Sequence, residues 1–236
     1  MKSSYYKYFA ALLLFGSNGI VASNINLPSY EIVLLRLLLG SLFLITVFTV
    51  SRQRFTFYRN KHTCLYLFIS ASAMGASWML LYEAYQQVGI SIASLAYYCG
   101  PVIVMILSPF LFRETLTWPK IAGFLTVLAG MCLVNLQALD EGKTIWGLFC
   151  GLMSAFMYAL MVTANKKAKP ESGLENSLLQ LVIGSFIVVA FVSMQKNFVL
   201  SLTTIDWIPV LLLGLLNTGI GCYLYFSSIT DLPVQT

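Results

Sequence analysis

Long apolar stretches alternate with short polar breaks along almost the whole chain. Eight stand out, at about 8–25, 30–50, 63–83, 91–112, 118–137, 146–165, 175–194 and 207–228. Each holds roughly 20 residues, and 20 residues of α-helix rise about 30 Å, the thickness of a bilayer's hydrocarbon core. The pattern therefore predicts an all-α, polytopic membrane protein with about eight transmembrane helices. The first stretch follows Lys2 and Lys7 and has the outline of a secretory signal. It is longer than a signal's apolar region, holds Gly16, Ser17, Asn18 and Gly19 in its middle and leads straight into further spans, so it reads as a retained helix.

A second pattern lies on top of the first. The windows 74–91 and 218–235 both place a glycine second, Gly75 and Gly219, 144 residues apart, and the breaks Val88-Gly89 and Leu232-Pro233 fall at the same offset. Phe15-Gly16 and Tyr158-Ala159 lie in similar apolar settings 143 residues apart, and Arg36 aligns with Gln180 at 144. Similarity at a fixed period marks an internal repeat. A unit with an odd number of spans sends the next unit into the bilayer from the opposite side, so the repeat is expected to be inverted. The expected units are a first repeat of five transmembrane helices over 1–137 and an incomplete second repeat of three over 144–236. Partners for spans four and five would fall at about 235–281, past Thr236, so the chain is expected to be a truncated form of a five-plus-five arrangement.

With 58% hydrophobic residues, 10% charged residues and a mean hydropathy of +0.81, the chain has too little polar surface for a water-soluble globule. The formal charge of +5 could point to nucleic acid, but the positions of the basic residues decide otherwise. Lys2, Lys7, Arg52, Arg54, Arg59, Lys61, Arg113, Lys120, Lys166, Lys167 and Lys169 fall on one side of an alternating topology, and only Lys143 and Lys196 on the other. That bias predicts a cytoplasmic N-terminus in the inner membrane and no nucleic-acid partner. His62, the sole histidine, lies in a basic loop, and the five cysteines sit singly in apolar runs, so no metal, disulfide or cofactor is expected. No GxxxxGK[ST] or Rossmann glycine pattern occurs, which disfavours ATP hydrolysis. Glu83 has no second carboxylate at matched depth, so an intramembrane enzyme is not expected either.

Several pieces carry a family likeness. They are Phe15-Gly16-Ser17-Asn18 in span one, Arg36 in span two, Ala84 to Gly89 ending span three, Gly100-Pro101 in span four, and Glu114-Thr115-Leu116-Thr117 followed by Gly123 and Gly130. In this order they resemble the EamA-type transporters of the drug/metabolite transporter superfamily, over essentially the whole chain. The resemblance implies ten helices as two inverted five-helix repeats, and alternating-access export of a small organic metabolite, with an amino acid or related compound as the leading class. Gly100 stands where many members have Glu before the proline, and spans nine and ten have no counterpart here. The alternative is a non-transporting scaffold or partner subunit. Two truncated chains pairing as a homodimer would be another way to rebuild a path.

A pathway needs helices that break or approach closely, and polar groups that face inward. Arg36 costs roughly 2.5 to 3.5 kcal/mol at a helix centre on insertion scales. Glu31 lies about 140° round the same helix, so Arg36 is expected to find acceptors on another helix, either as a lock or facing an anion. Pro101 is expected to remove a backbone hydrogen bond near the bilayer centre and to line the path or simply pack. Glu83 is either a titrating coupling group or an interfacial carboxylate in an aromatic belt. Trp78, Tyr82, Tyr97, Tyr98, Tyr158, Tyr223 and Tyr225 lie within spans, where a buried hydroxyl must find a partner. Asn18 and Asn217 are mid-span amides that either join helices or touch a solute.

Overall fold

The computed structural model describes residues 2–115, 117–135, 145–193 and 207–233. The described elements are all helical: α1 (Lys2–Gly16), α2 (Asn18–Ala22), α3 (Ser29–Val50), α4 (Lys61–Tyr97), α5 (Cys99–Phe112), α6 (Trp118–Asn135), α7 (Ile145–Ala168), α8 (Gly173–Ser193), α9 (Trp207–Leu211) and α10 (Gly221–Ile229). A π-helical segment, Leu212–Ile220, joins α9 to α10. Among the described residues five helical stretches are long and apolar enough to cross a membrane: Tyr30–Val50, Lys61–Phe112, Ile145–Ala168, Gly173–Ser193 and Trp207–Ile229. They do not match the expected eight one for one. The first expected span is divided at Ser17, the third and fourth lie in one stretch that Gly89 divides, and α6 has 18 residues. The expected boundary between the repeats, Lys143, Lys196 and residues 234–236 lie outside the described residues.

Lys61–Phe112 holds 52 residues, more than twice what a hydrocarbon core needs. Gly89 breaks it, with φ 79° and ψ 163°, a conformation that a residue with a Cβ adopts only under strain. Before the break, Thr63, Ser70 and Ser77 hydrogen-bond Ala168, Met161 and Ser154 of α7, in descending order. After it, a Cβ on Gly151 would meet Ala96, and one on Gly100 would meet Tyr158 and Ala155, in ascending order. One leg therefore runs antiparallel to α7 and the other parallel to it, so the chain doubles back at Gly89. Small residues allow the first leg to come this close. Ser77 Oγ donates to the Ser154 carbonyl at 2.9 Å, and Ser154 Oγ returns a bond to the Ser77 carbonyl at 2.8 Å.

Helices α3 and α8 cross in the middle of the molecule, where Ser41 Oγ and Ser185 Oγ, 144 residues apart, lie 3.0 Å from each other. A Cβ on Gly40 would come within 2.8 Å of Thr218 Cγ2 and 3.1 Å of Leu181 Cδ1. A Cβ on Gly184 would come within 3.1 Å of Met74 Cε and 3.8 Å of Leu37 Cδ2. A shift of 144 residues turns the first set of contacts into the second. The polar residues of the two crossing helices behave alike: Arg36 on α3 donates to Thr218 Oγ1, and Gln180 on α8 donates to Ser70 Oγ on α4.

Basic residues gather at one end of the bundle. Lys7, Lys166 and Lys169 line one cavity there, and Arg59, Lys167 and Lys169 line its neighbour. Arg52, Arg113 and Lys169, just beyond the ends of α3, α5 and α7, adopt positive φ of 51°, 56° and 48°. A cation there faces the helix's negative pole, which offsets part of the left-handed strain. At the same end Lys166 Nζ donates to the carbonyls of Ile229, Thr230 and Leu232, and so caps α10. Glu175, buried in the first turn of α8, accepts from Thr56 N, Thr56 Oγ1 and Phe57 N and fixes the loop between α3 and α4.

Candidate functional site

The most unusual group in the fold is Arg36, 2% exposed and seven residues into α3. Its Nε donates to Thr218 Oγ1 at 2.9 Å and its Nη1 to Tyr82 Oη at 2.7 Å. Its guanidinium carbon lies 4.1 Å from the centroid of the Trp78 ring and 5.5 Å from that of Tyr82. Such stacking favours arginine, whose flat, weakly hydrated cation presents a face to an aromatic ring. Its Nη2 is buried and has no hydrogen-bond partner, and among the described residues no carboxylate pairs with it. These hydrogen bonds and ring contacts come from other helices, so Arg36 ties α3 to α4 and to the π-helical segment.

The π-helical segment is where the second half meets this cluster. Thr218 accepts from Arg36 and donates its own hydroxyl to the Leu213 carbonyl five residues back, which fits the wider π turn. The preceding residue faces the other way: Asn217 Nδ2 reaches the Leu14 carbonyl, Ser17 Oγ and Asn18 Oδ1 at 2.8, 2.9 and 3.0 Å. Asn18 and Asn217 thus join the break between α1 and α2 to the same segment that holds Arg36. π-helical insertions in α-helices recur at functional sites.

A tyrosine series leads from this cluster toward the basic end. Tyr82 and Tyr85 have ring centroids 5.3 Å apart, Tyr97 and Tyr158 are edge-on at 5.4 Å, and Tyr158 and Tyr225 share a hydrogen bond of 3.0 Å. Beyond Tyr158 and Tyr225 opens a cavity of about 280 Å³, bounded by Tyr8, Pro101, Lys120, Val162 and Ile229 among others.

The structure therefore brings Arg36, Trp78 and Tyr82 into one cluster and sets Tyr97 and Tyr158 beside it. Other candidates lie elsewhere. Glu83 sits on another face, where it accepts from Gln87 at 3.0 Å. Tyr98 is 37% exposed, and Tyr223 lines the larger basic-end cavity with Lys7 and Lys166. Pro101 is the third residue of α5, three residues past Tyr98, the single residue that separates α5 from α4. The sequence reading missed Thr218, Tyr85 and Ser17. Tyr85 could have been found, since it follows Tyr82 by one helical turn; Thr218 carried no signal of its own.

Long apolar helices around a buried polar seam define a multi-pass membrane protein. The chain belongs to the EamA-like transporter family, which matches residues 3–136 and 145–236, and it fits the drug/metabolite transporter superfamily. It is 26% identical over 236 residues to the uncharacterized transporter YxxF of Bacillus subtilis, a match covering 97% of this chain and 74% of that protein. It is 21% identical over 180 residues to a biotin transporter of Salmonella typhimurium, covering 75% of this chain and 60% of that protein. A protein of known crystal structure superposes on 100% of this chain and 82% of its own, with a TM-score of 0.78 at 18% identity, a likeness of fold.

Proposed function

We propose that this chain is a secondary transporter that exports a small organic metabolite across the cytoplasmic membrane, with its N-terminus in the cytoplasm. The observation that carries the proposal is the exchange of contacts at 144 residues around the α3–α8 crossing, with an unneutralised arginine on the same seam. When contacts i–j and j′–i′ occur together, the two units are related by a two-fold axis. Glu31 and Glu175 fit that relation too, being 144 residues apart and both buried in the first turns of α3 and α8. If each half has an odd number of spans, the axis lies in the membrane plane and the halves rock against each other around a fixed site. The cavity behind Tyr158 and Tyr225 is then a cytoplasmic vestibule.

An amino acid or a related compound is the leading class of solute, which the internal tyrosines fit if it is aromatic or amphipathic. The test is flux in proteoliposomes against a panel of labelled amino acids and related acids, with cysteines introduced at Arg54 and Lys143 and labelled from either side. Saturable flux, with position 54 labelled from the cytoplasmic side and position 143 from outside, supports the reading. No flux of any panel member would leave a non-transporting partner subunit as the better account.

A further inference from the structure

We propose that Arg36 receives the carboxylate of a monoanionic organic acid, and that the rings of Trp78 and Tyr82 hold that acid's flat or apolar body. The proposal rests on the transport reading in taking the seam at Arg36 as the place a solute occupies. It starts from an imbalance. A guanidinium has three nitrogens; Nε and Nη1 are bonded to Thr218 and Tyr82, and Nη2 is buried with nothing to bond. A buried cation keeps such a vacancy only at a considerable penalty, and in a transporter the missing acceptor need not belong to the chain. Both acceptors present are neutral hydroxyls, and among the described residues no carboxylate pairs with Arg36. The site therefore lacks one negative charge and at least one oxygen.

A carboxylate supplies both. Its two oxygens match the edge formed by Nη1 and Nη2, the bidentate geometry in which arginine binds acids most strongly. Charge balance separates it from a phosphate: one arginine is neutralised by a monoanion, whereas a phosphate dianion would leave an uncompensated negative charge away from water. Stacking decides the rest. Trp78 lies under the guanidinium at 4.1 Å, with Tyr82 beside it and Tyr85 beyond, so a bound acid would extend over π faces. Glu83, which could have taken a solute's ammonium group, lies on another face of α4, where Gln87 Nε2 donates to it, so the recognised feature is the carboxylate alone.

The emission of Trp78 reads the site directly. The full chain is purified with Trp118, Trp146 and Trp207 replaced by Phe, all three being exposed. Phenylacetate and 3-phenylpropanoate are titrated against phenylacetamide and phenyl phosphate, and the same is done with Arg36→Lys and Arg36→Gln. The expected result is a saturable shift of Trp78 emission with the two carboxylates, at concentrations at least tenfold below any effect of the amide or the phosphate. Arg36→Lys weakens it roughly tenfold and Arg36→Gln abolishes it. Equal response to acid and amide, tighter response to phosphate, or no response to either acid overturns the proposal, and these comparisons need no variant at Arg36 to fold. Carboxylate binding without flux would sink the transport reading and leave this site standing; flux of some other solute with no carboxylate response would do the reverse.

Discussion

Adding a methyl group at Gly40 tests how α3 is held against the second half. The added Cβ of Gly40→Ala would lie 2.8 Å from Thr218 Cγ2, 3.1 Å from Leu181 Cδ1 and 3.2 Å from the Gly214 carbonyl oxygen. The end of Leu181 can give, but Thr218 is β-branched and held by Arg36 and the Leu213 carbonyl, and the Gly214 carbonyl belongs to the π-helical segment and moves only with it. Overpacking of this kind destabilises by about 1–3 kcal/mol, and glycine to alanine in a helix returns about 0.8–1.0 kcal/mol. The net loss expected is about 1 kcal/mol. At Gly123 nothing lies within 4 Å of an added Cβ, so Gly123→Ala keeps only the gain, up to about 1 kcal/mol. The two variants should differ by about 2 kcal/mol, or roughly 4–8 °C in midpoint for a chain of this size. Gly184→Ala falls between them, because it meets the flexible end of Met74 at 3.1 Å. Cys150 and Cys222 are both 0% exposed, so heating in the presence of a thiol-reactive fluorophore reports unfolding once the other three cysteines, Cys64, Cys99 and Cys132, are replaced by serine. A midpoint for Gly40→Ala equal to or above that of Gly123→Ala would refute the close approach of α3 to the π-helical segment.

Three further outcomes are expected. Arg36→Ala should reduce flux and thermal midpoint more than Lys143→Ala, since losing Arg36 leaves the buried Tyr82 hydroxyl without its partner; equal effects would take Arg36 off the seam. Tyr158→Phe and Tyr225→Phe each remove the one hydrogen bond they share, so each should cost about 0.5–1.5 kcal/mol and the double variant no more than one of them; full additivity in the same thermal assay would show the bond is not made. Glu175→Ala leaves Thr56 and Phe57 without their acceptor and should destabilise by about 1–3 kcal/mol, with faster proteolysis between α3 and α4; an unchanged cleavage rate would show that the loop is held by something else.

Membrane residence and helicity were legible in the sequence because hydrocarbon leaves the backbone few choices. An apolar run of about 20 residues has no water to satisfy its N–H and C=O groups, so it must satisfy them itself, as a helix. The reversal at Gly89 was legible for a similar reason, since glycine tolerates the positive φ found there. The offset of 144 could be read from Gly75 and Gly219 before any contact was known. The neighbours of each polar residue were not legible. Arg36 bonds partners 46 and 182 residues away, and Asn217 one 199 residues away, separations at which a single sequence carries no pairing information. The π-helical segment was equally hidden, because one wider turn leaves the hydropathy pattern almost unchanged while turning Asn217 and Thr218 toward different helices. Hydropathy fixes which segments enter the bilayer, because transfer from water acts on each residue separately; only packing decides which polar groups meet there, because a hydrogen bond depends on two residues at once.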